Sequence, residues 1–322
     1  MLFSAEWCAR VFGLGTPRTD LVFAARGQSN PLGVFRLETD RGRFAIKRLS
    51  APPRPEGLAI ELCAYAAGVP MPAPIEAATG GYAVRDEAGS APVWARAYTW
   101  VDGIPGEWGR VDAQASFDVA GLMARVHALP MPAGALGETP WQPPGEAGWL
   151  LLAEGAERRG LAWGAALREK VPVLVAIDQL RSAPADEPLV PSQRDYHFPN
   201  LITPPHGPRV LVDWDAAGPS IARHEVVFFA LRWATPSGGT PVRELVQAFS
   251  SGYVAGGGAD FAPPTVADLW RITCPHTWWL WFNIVRDLSA APGPDQWLTP
   301  ALISQVAGPD PRALERTAEL FQ

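Results

Sequence analysis

The feature of this sequence that most constrains its fold is a change in hydrophobic period near residue 102. Before that point, apolar residues alternate with polar ones in short runs such as 33–39 and 42–49. After it, they recur at helical spacing in runs such as 114–130. Alternation is typical of half-buried strands, and a spacing of three to four residues is typical of helices. We therefore predict an α+β fold, with a small, mostly antiparallel β lobe with one helix over residues 1–101 and a larger helical lobe over residues 102–322.

Composition and charge exclude several classes of protein. The chain of 322 residues carries a net charge of −6, whereas nucleic-acid binders usually carry a basic surface. Its three cysteines lie far apart, so no disulfide framework or metal spacing is visible. The N-terminus has no basic start or long apolar run, and the most apolar stretch, 276–285, is too short to span a membrane. We expect a cytoplasmic monomer or homodimer that binds neither nucleic acid nor membrane.

The use of lysine is unusual. Of 27 basic residues only two, Lys47 and Lys170, are lysine, and the rest are arginine. A chain that favours arginine so strongly should keep lysine where the broad guanidinium cannot serve, for example between two phosphate groups. Lys47 lies on the second of two alternating runs, which follow a glycine-containing turn at 26–31. We interpret Lys47 as functional and attribute Lys170, in a helical run, to chance.

The segment after this strand predicts a helix with two acidic residues. Prolines at positions 52, 53 and 55 suit its start, and Gly68 followed by Pro70 suits its end. Glu56 falls in the first turn, where a carboxylate usually offsets the helix dipole. Glu61 lies in the middle of the helix among apolar residues and is less easily explained as a surface residue.

A polar loop and a predicted hairpin lie within the helical half. Asn200 follows Asp195 by five positions, and Asp213 ends the strand that returns from the turn 204–207. Because a hairpin returns its ends to proximity, Asn200 and Asp213 can share a hard cation such as Mg²⁺ through oxygen ligands. An aspartate that is not bound to the metal can take a proton from an acceptor hydroxyl. Taken singly, each residue is more often an ordinary turn or strand-end residue; together with Lys47 they indicate phosphoryl transfer.

At this point the chain resembles the aminoglycoside phosphotransferase and choline kinase-like small-molecule kinases, which are relatives of the protein kinases. The family's catalytic loop typically reads HGDxHxxN, and here residues 193–200 read QRDYHFPN. The family's metal motif resembles Val212-Asp213-Trp214. Further matches are GxxN at 27–30, FAIK at 44–47, GVPMP at 68–72, WVDG at 100–103 and LMARVHAL at 122–129. The resemblance covers residues 20 to 235 and implies a bilobal protein-kinase-like fold.

The resemblance also implies a role for each matched residue. Asp195 would be the catalytic base, and Asn200 and Asp213 would hold Mg²⁺. Lys47 would grip the α- and β-phosphates of ATP or GTP. The other implied residues bind the nucleotide: Ser29 and Asn30 at the phosphates, the carbonyl of Thr99 and the amide of Val101 at the adenine, and Glu61 as the acid that holds the lysine. Glu56 is the alternative to Glu61, and Asp215 is expected as either an outer-sphere acid or a helix cap.

Two positions of the catalytic loop depart from the family pattern. Gln193 stands where the family has a histidine that hydrogen-bonds the backbone around the metal-binding aspartate. Glutamine also donates and accepts, so we expect altered tuning rather than lost catalysis. Arg194 stands where the family has glycine, and its charge would either favour an anionic acceptor or pair with a local carboxylate.

The acceptor side carries fewer signals. The aromatic residues Trp278, Trp279, Trp281 and Phe282 either line the acceptor cleft or pack in the core, and we favour core packing for most of them. The carboxylates that would bind an aminoglycoside are scattered along the chain: Glu225, Asp260, Asp268 and Asp287.

The sequence thus predicts a kinase-like enzyme of small molecules. We expect ATP-dependent transfer of the γ-phosphate to a hydroxyl of a small polar metabolite, with an aminoglycoside or related antibiotic or sugar as the favoured acceptor. Two alternatives remain open: a kinase for Ser or Thr of a peptide in natural-product biosynthesis, and a nucleotide-binding pseudokinase that acts as a scaffold.

Overall fold

The computed structural model describes residues 3–25, 32–86, 93–110, 112–130, 144–182, 189–237, 239–272, 274–289, 298–306 and 311–322. Its N-terminal part is an antiparallel sheet with two helices, one before the first strand and one after the third. The elements in chain order are α1 (Ala5–Val11), β1 (Val22–Ala25), β2 (Val34–Thr39), β3 (Gly42–Leu49), α2 (Pro55–Ala66), β4 (Pro74–Ile75), β5 (Val84–Asp86) and β6 (Val93–Thr99).

The strand order in this sheet is β1-β2-β3-β6-β4, with β5 also paired to β6. Both alternating runs of the sequence form strands, and β2 and β3 pair antiparallel to each other. Side chains alternate between the faces of β3. Phe44 and Ile46 therefore join the core formed with α1, while Lys47 lies on the opposite face.

The C-terminal part is mostly helical, as its period predicts. Its elements are β7 (Ile104–Pro105), α3 (Ala113–His127), α4 (Gly145–Arg158), α5 (Gly164–Ser182), β8 (Leu189–Ser192), β9 (Leu201–Thr203), β10 (Val210–Leu211), β11 (Gly218–Ile221), α6 (Ala222–Ala234), α7 (Arg243–Ala255), α8 (Val266–Ile272), α9 (Cys274–Ser289), α10 (Pro300–Val306) and α11 (Pro311–Ala318). The predicted α+β architecture is confirmed, but the prediction of one helix in residues 1–101 is wrong, since both α1 and α2 lie there. The division of the chain at residues 101 and 102 stays a prediction.

Short strands position the polar loop inside this helical part. The predicted hairpin forms between β9 and β10, with Val210 opposite Ile202 and Leu211 opposite Leu201. β7 pairs with the other edge of β9, and β11 pairs with β8. These ladders bring the segment after β6, the polar loop and the segment after β10 to one side of the helices.

Two apolar clusters organise the helices. One includes Val119 and Met123 of α3 with Phe249 of α7, and the other joins α4, α5, α9 and α10. Trp279 and Trp281 pack against the second cluster, which agrees with core packing for these two. Phe282 is 36% exposed, and the side chain of Trp278 lies outside the described part. In the part of the chain that the structure describes, no helix is long and apolar enough to cross a membrane.

Close approach of α3 and α7 depends on a glycine. A Cβ atom added at Gly252 of α7 would lie 2.1 Å from the carbonyl oxygen of Phe117 in α3. Only a hydrogen atom fits at this distance, so Gly252 sets the spacing of the two helices.

We predict opposite effects for alanine at two helical glycines. Gly252→Ala should lower the free energy of unfolding by about 1–3 kcal/mol, because the methyl group forces packed helices apart. The matched control is Gly155→Ala in α4, where the new methyl group would lie 3.8 Å from Leu288. It should raise stability by up to about 1 kcal/mol through helix propensity. Urea-unfolding midpoints measure both, and equal shifts for the two variants would contradict the close helix contact.

Candidate active site

Lys47 lies between two carboxylates that come from the far end of the hairpin. Its Nζ atom is 2.5 Å from Oδ1 of Asp213 and 2.7 Å from Oδ2 of Asp215, and the residue is only 6% exposed. Burial alone lowers the pKa of Lys47, but the two carboxylates outweigh burial and raise it. Burial also raises the pKa of Asp213, and the nearby ammonium group reverses this, so the net shift is downward. Lys47 is therefore a charged ammonium at the junction of the two parts of the fold.

One oxygen of Asp215 contacts the lysine. Asp215 is not a helix cap, since the next helix begins at Ala222, and its role as an outer-sphere acid stays a prediction. Its other oxygen, Oδ1, is buried and makes no hydrogen bond in the described part of the chain.

The structure does not bring Glu61 to Lys47. Glu61 instead pairs with Arg96 at 2.7 Å, and both side chains are only 1% exposed. Arg96 lies opposite Lys47 in the β3–β6 ladder, so it stands between the lysine and α2. Burial raises the pKa of Glu61, and the adjacent guanidinium only partly offsets it. The alternative acid, Glu56, lies 3.8 Å from Arg54, so neither predicted acid contacts the lysine.

Gln193 joins the polar loop to the end of β10. Its Nε2 atom donates to the carbonyls of Val212 at 3.1 Å and Asp213 at 2.5 Å. Its Oε1 atom accepts the backbone N–H of Asp195 at 2.8 Å. The residue is fully buried. Glutamine therefore makes the backbone contacts expected of the family histidine, because its amide both donates and accepts.

The backbone conformation of Arg194 is one that glycine adopts more readily than other residues. Its φ angle is +66°, in the left-handed region, which costs residues other than glycine about 1–2 kcal/mol. Its backbone N–H donates to Ser192 Oγ at 2.8 Å, and its guanidinium donates to the carbonyl of Pro219. No carboxylate of the described residues forms an ion pair with Arg194, and its predicted effect on an anionic acceptor stays a prediction. Burial lowers the pKa of Arg194 to about 10.

Asp195 and Asn200 face each other across the loop. Nδ2 of Asn200 donates to the main-chain oxygen of Asp195 at 2.8 Å, and Nε2 of His197 lies 3.4 Å from Asp195 Oδ1. Burial, with the neighbouring charge of Asp213, raises the pKa of Asp195 to about 7. A carboxylate with a pKa near neutrality is suited to accept a proton.

The oxygen atoms of this site fit a small hard cation. Asn200 keeps its Oδ1 atom available, and the backbone bond from Val212 N–H to the Asn200 carbonyl, at 2.9 Å, joins the two ends of the hairpin. The unpartnered Oδ1 of Asp215 adds a buried acceptor beside Asp213. Among the described residues, no group of three or more His, Cys, Asp or Glu side chains is arranged to hold a metal. Mg²⁺ commonly takes only one or two carboxylates together with phosphates and water.

The predicted nucleotide-binding residues lie partly within the described chain. Thr99 ends β6, and its amide donates to the carbonyl of Ala73 at 3.0 Å. The adjacent Trp100 donates to the carbonyl of Arg43 at 3.0 Å, so by alternation the Thr99 carbonyl points away from β3. Val101 follows just beyond the strand. Ser29 and Asn30 lie outside the described residues, and their roles stay predictions.

Sequence reasoning missed one aromatic neighbour of the loop. The ring of Trp108 lies 5.1 Å from that of His197 and 5.8 Å from that of Phe198. The signal that could have found it is the spacing of glycines at 103, 106 and 109, since repeated glycine marks close backbone approach.

We predict that an isosteric change at Gln193 destabilises the protein. Gln193→Glu replaces a donor with a carboxylate that faces two carbonyls, so the free energy of unfolding should fall by at least about 2 kcal/mol. Gln193→His should cost less, because imidazole can donate and accept. The matched control is Gln247→Glu on the exposed face of α7, which should be nearly neutral. Chemical denaturation measures all three, and a neutral Gln193→Glu would contradict the bridging role.

Comparisons with known proteins identify the family of the chain. Residues 20–261 match the model of the phosphotransferase enzyme family, APH. No curated protein matches the chain in sequence.

Solved structures share the whole fold at low sequence identity. A spectinomycin phosphotransferase in complex with ADP and spectinomycin has a TM-score of 0.69 and 12% identity, with 99% of each chain covered. An amicoumacin kinase in complex with AMP-PNP and Ca²⁺ has a TM-score of 0.61 and 12% identity, covering 98% of this chain and 92% of that one. An ethanolamine kinase from Plasmodium vivax has a TM-score of 0.59 and 13% identity, covering 89% of this chain and 82% of that one.

These structural likenesses confirm the predicted kinase-like fold, and the family model extends over most of the chain. The match includes Lys47, the polar loop and the hairpin that ends at Asp213. The chain therefore belongs to the phosphotransferase enzyme family.

Proposed function

We propose that this protein is an ATP- and Mg²⁺-dependent O-phosphotransferase. It transfers the γ-phosphate to a hydroxyl group of a small polar metabolite, with aminoglycosides, related antibiotics and sugars as the first acceptors to consider. One observation carries the proposal: Lys47, Asp195, Asn200 and Asp213 come from separate parts of the sequence and are joined by direct contacts or by one bridging glutamine.

Lys47 acts on the nucleotide phosphates in this proposal. Its compact ammonium is buried on the sheet face that carries Arg96 and Tyr98, and it can bind two phosphate oxygens once it leaves Asp213. The Thr99 carbonyl and the Val101 amide bind the adenine edge, while Ser29 and Asn30 cover the phosphates. Glu61 acts indirectly, because it holds Arg96 rather than the lysine.

Asn200 and Asp213 would hold the magnesium ion. When bound there, the ion would supply positive charge to offset that of the phosphate groups. The bridge from Gln193 to the carbonyls of Val212 and Asp213 fixes the backbone of one ligand. The bond from Asn200 to the Asp195 carbonyl fixes the other.

Asp195 orients the acceptor hydroxyl and accepts its proton. Its backbone is held by Gln193 at one end and by Asn200 at the other. Gln193 was the reason to consider a pseudokinase scaffold, but in this structure it makes the contacts that a catalytic loop needs. We therefore favour an active enzyme over a scaffold.

The decisive assay for the proposal is acceptor-dependent release of ADP. Purified protein with ATP and Mg²⁺ should phosphorylate members of a panel of hydroxylated antibiotics and sugars, detected as the added mass of one phosphate. Asp195→Asn should lower kcat by about 10²–10⁴-fold through loss of the general base, while nucleotide binding persists. The control Asp20→Asn changes an exposed carboxylate that precedes β1 and should leave kcat unchanged. Full activity of Asp195→Asn, or ADP release that never depends on an acceptor, would contradict the proposal.

The scarcity of lysine gives a second, matched test. Lys47→Arg should raise KM for ATP at least about tenfold, or about 1.4 kcal/mol in binding free energy, because a guanidinium is too broad for the space between Asp213 and Asp215. Lys170→Arg changes the chain's other lysine, whose Nζ lies 3.9 Å from a carboxylate oxygen of Glu169, and should have no effect. Steady-state kinetics at varied ATP distinguish the two, and a neutral Lys47→Arg would contradict the assigned role.

A further inference from the structure

Trp108 stands two contacts away from the proposed base. Its ring lies 5.1 Å from the ring of His197, and Nε2 of His197 lies 3.4 Å from Asp195 Oδ1. His197 therefore links Trp108 to the carboxylate that the hydroxyl of an acceptor must reach.

Three glycines bring the segment of Trp108 against the catalytic loop, the strand β9 and the chain after α6. A Cβ atom would lie 2.5 Å from the Thr203 carbonyl oxygen at Gly103 and 2.4 Å from the Phe198 carbonyl oxygen at Gly106. At Gly109 it would lie 2.0 Å from Ser237 Oγ. Each contact permits glycine alone, so the segment is built to lie close to the loop.

The indole is fixed in place yet open on one side. Its ring meets that of Phe198 edge to face, with the ring centres 5.8 Å apart. The main-chain carbonyl of Trp108 accepts a hydrogen bond from Ser237 Oγ at 3.1 Å. The residue is nevertheless 45% exposed. An anchored aromatic ring with an exposed surface offers a stacking platform for a flat ligand group.

A guanidinium without an acid partner lies over the same ring. The Cζ atom of Arg232, in the last turn of α6, is 4.7 Å from the centre of the Trp108 ring. No ion pair joins Arg232 to a carboxylate of the described residues, and partial burial of the guanidinium lowers the pKa of Arg232. The residue is nevertheless exposed, so its guanidinium can form paired N–H bonds to a bound oxyanion.

The acids that sequence analysis offered for a cationic acceptor are mostly engaged elsewhere. Glu225 bonds to His127 at 2.8 Å, and Asp268 pairs with Arg223 at 2.9 Å. Asp287 accepts the N–H of Leu298 at 3.1 Å, and all three are buried. These carboxylates are therefore not available to ammonium groups of a polycationic acceptor.

We propose that Trp108 and Arg232 form an acceptor subsite that binds a flat group bearing a carboxylate or phosphate. The inference rests on the proposed function and narrows its acceptors: a hydroxylated, negatively charged antibiotic or sugar is favoured over the polycationic aminoglycosides. The indole stacks on the flat part of the acceptor, and the guanidinium forms two N–H bonds to its oxyanion.

Binding of three matched probes tests this subsite without requiring catalysis. Benzoate, phenyl phosphate and benzylamine share one ring and differ in charge. Nuclear magnetic resonance titration should give Kd values at least tenfold lower for one or both anions than for benzylamine, and the tighter anion identifies the oxyanion. Arg232→Gln should raise the Kd for that anion at least tenfold, and Trp108→Ala should do the same. Arg158→Gln, which changes an exposed arginine paired with Glu154, is the matched control and should bind like the unaltered protein.

Arg232 also lies at a helix C-terminus, where a positive charge stabilises the helix. Arg232→Lys keeps that charge and removes the planar fork, so it should keep the unfolding midpoint and still weaken anion binding severalfold. Benzylamine binding as tightly as the anions, no detectable probe binding, or anion binding unchanged in Arg232→Gln would each overturn the subsite.

The two proposals fail in different ways. Anion binding that depends on Arg232, with no phosphorylated product from any acceptor, would overturn the proposed function alone. Transfer of phosphate that depends on Asp195, with cationic acceptors preferred and Arg232→Gln without effect, would overturn the subsite alone.

Discussion

The contact between Lys47 and the two carboxylates of Asp213 and Asp215 is the interaction on which the rest of the site depends. It joins a strand of the sheet to a turn 166 residues later in the chain. All three charges lie in a partly desolvated junction, where removal of one partner from a buried pair typically costs about 3–5 kcal/mol. The geometry of the junction therefore constrains both the sheet face and the hairpin, and with them the position of the proposed base.

Neutral hydrogen bonds from Gln193 fix the backbone beside this charged junction. Gln193 ties the backbone of Asp195 to that of Asp213, and Asp213 itself adopts a φ angle of +62°. Such left-handed residues persist only where the surroundings hold them, and they concentrate at functional sites. The buried amide accounts for that support, which is why a glutamine in place of the family histidine is compatible with an intact loop.

Residue pattern and spacing could predict the parts of this site that are local in sequence. The alternation of polar and apolar residues predicted that Lys47 lies on a strand, and it lies on β3. The hairpin predicted between Asn200 and Asp213 forms as β9 and β10. Pairing of Glu61 could not be predicted in the same way. It depends on the register between β3 and β6, which puts Arg96 opposite the lysine, and on the rotation of α2 about its axis. Neither is encoded in a short segment.

The same limit applies to Arg194 and Trp108. The backbone conformation of Arg194 follows from the family glycine, but its contact with the Pro219 carbonyl depends on the β8–β11 pairing. Trp108 is distant in sequence from His197, and only the packing of three glycines against the loop and α6 brings the rings together. Long-range packing, rather than local propensity, decides which of these side chains meet.

The central claim is that one carboxylate, Asp213, serves both the resting lysine and a nucleotide-bound metal ion. Calorimetric titration of ATP with and without Mg²⁺, in the unaltered protein and in Asp213→Asn, tests it most directly. We expect Mg²⁺ to strengthen ATP binding in the unaltered protein and to have little effect in Asp213→Asn. ATP affinity that ignores Mg²⁺ in the unaltered protein, or Mg²⁺ enhancement that survives Asp213→Asn in full, would contradict the account.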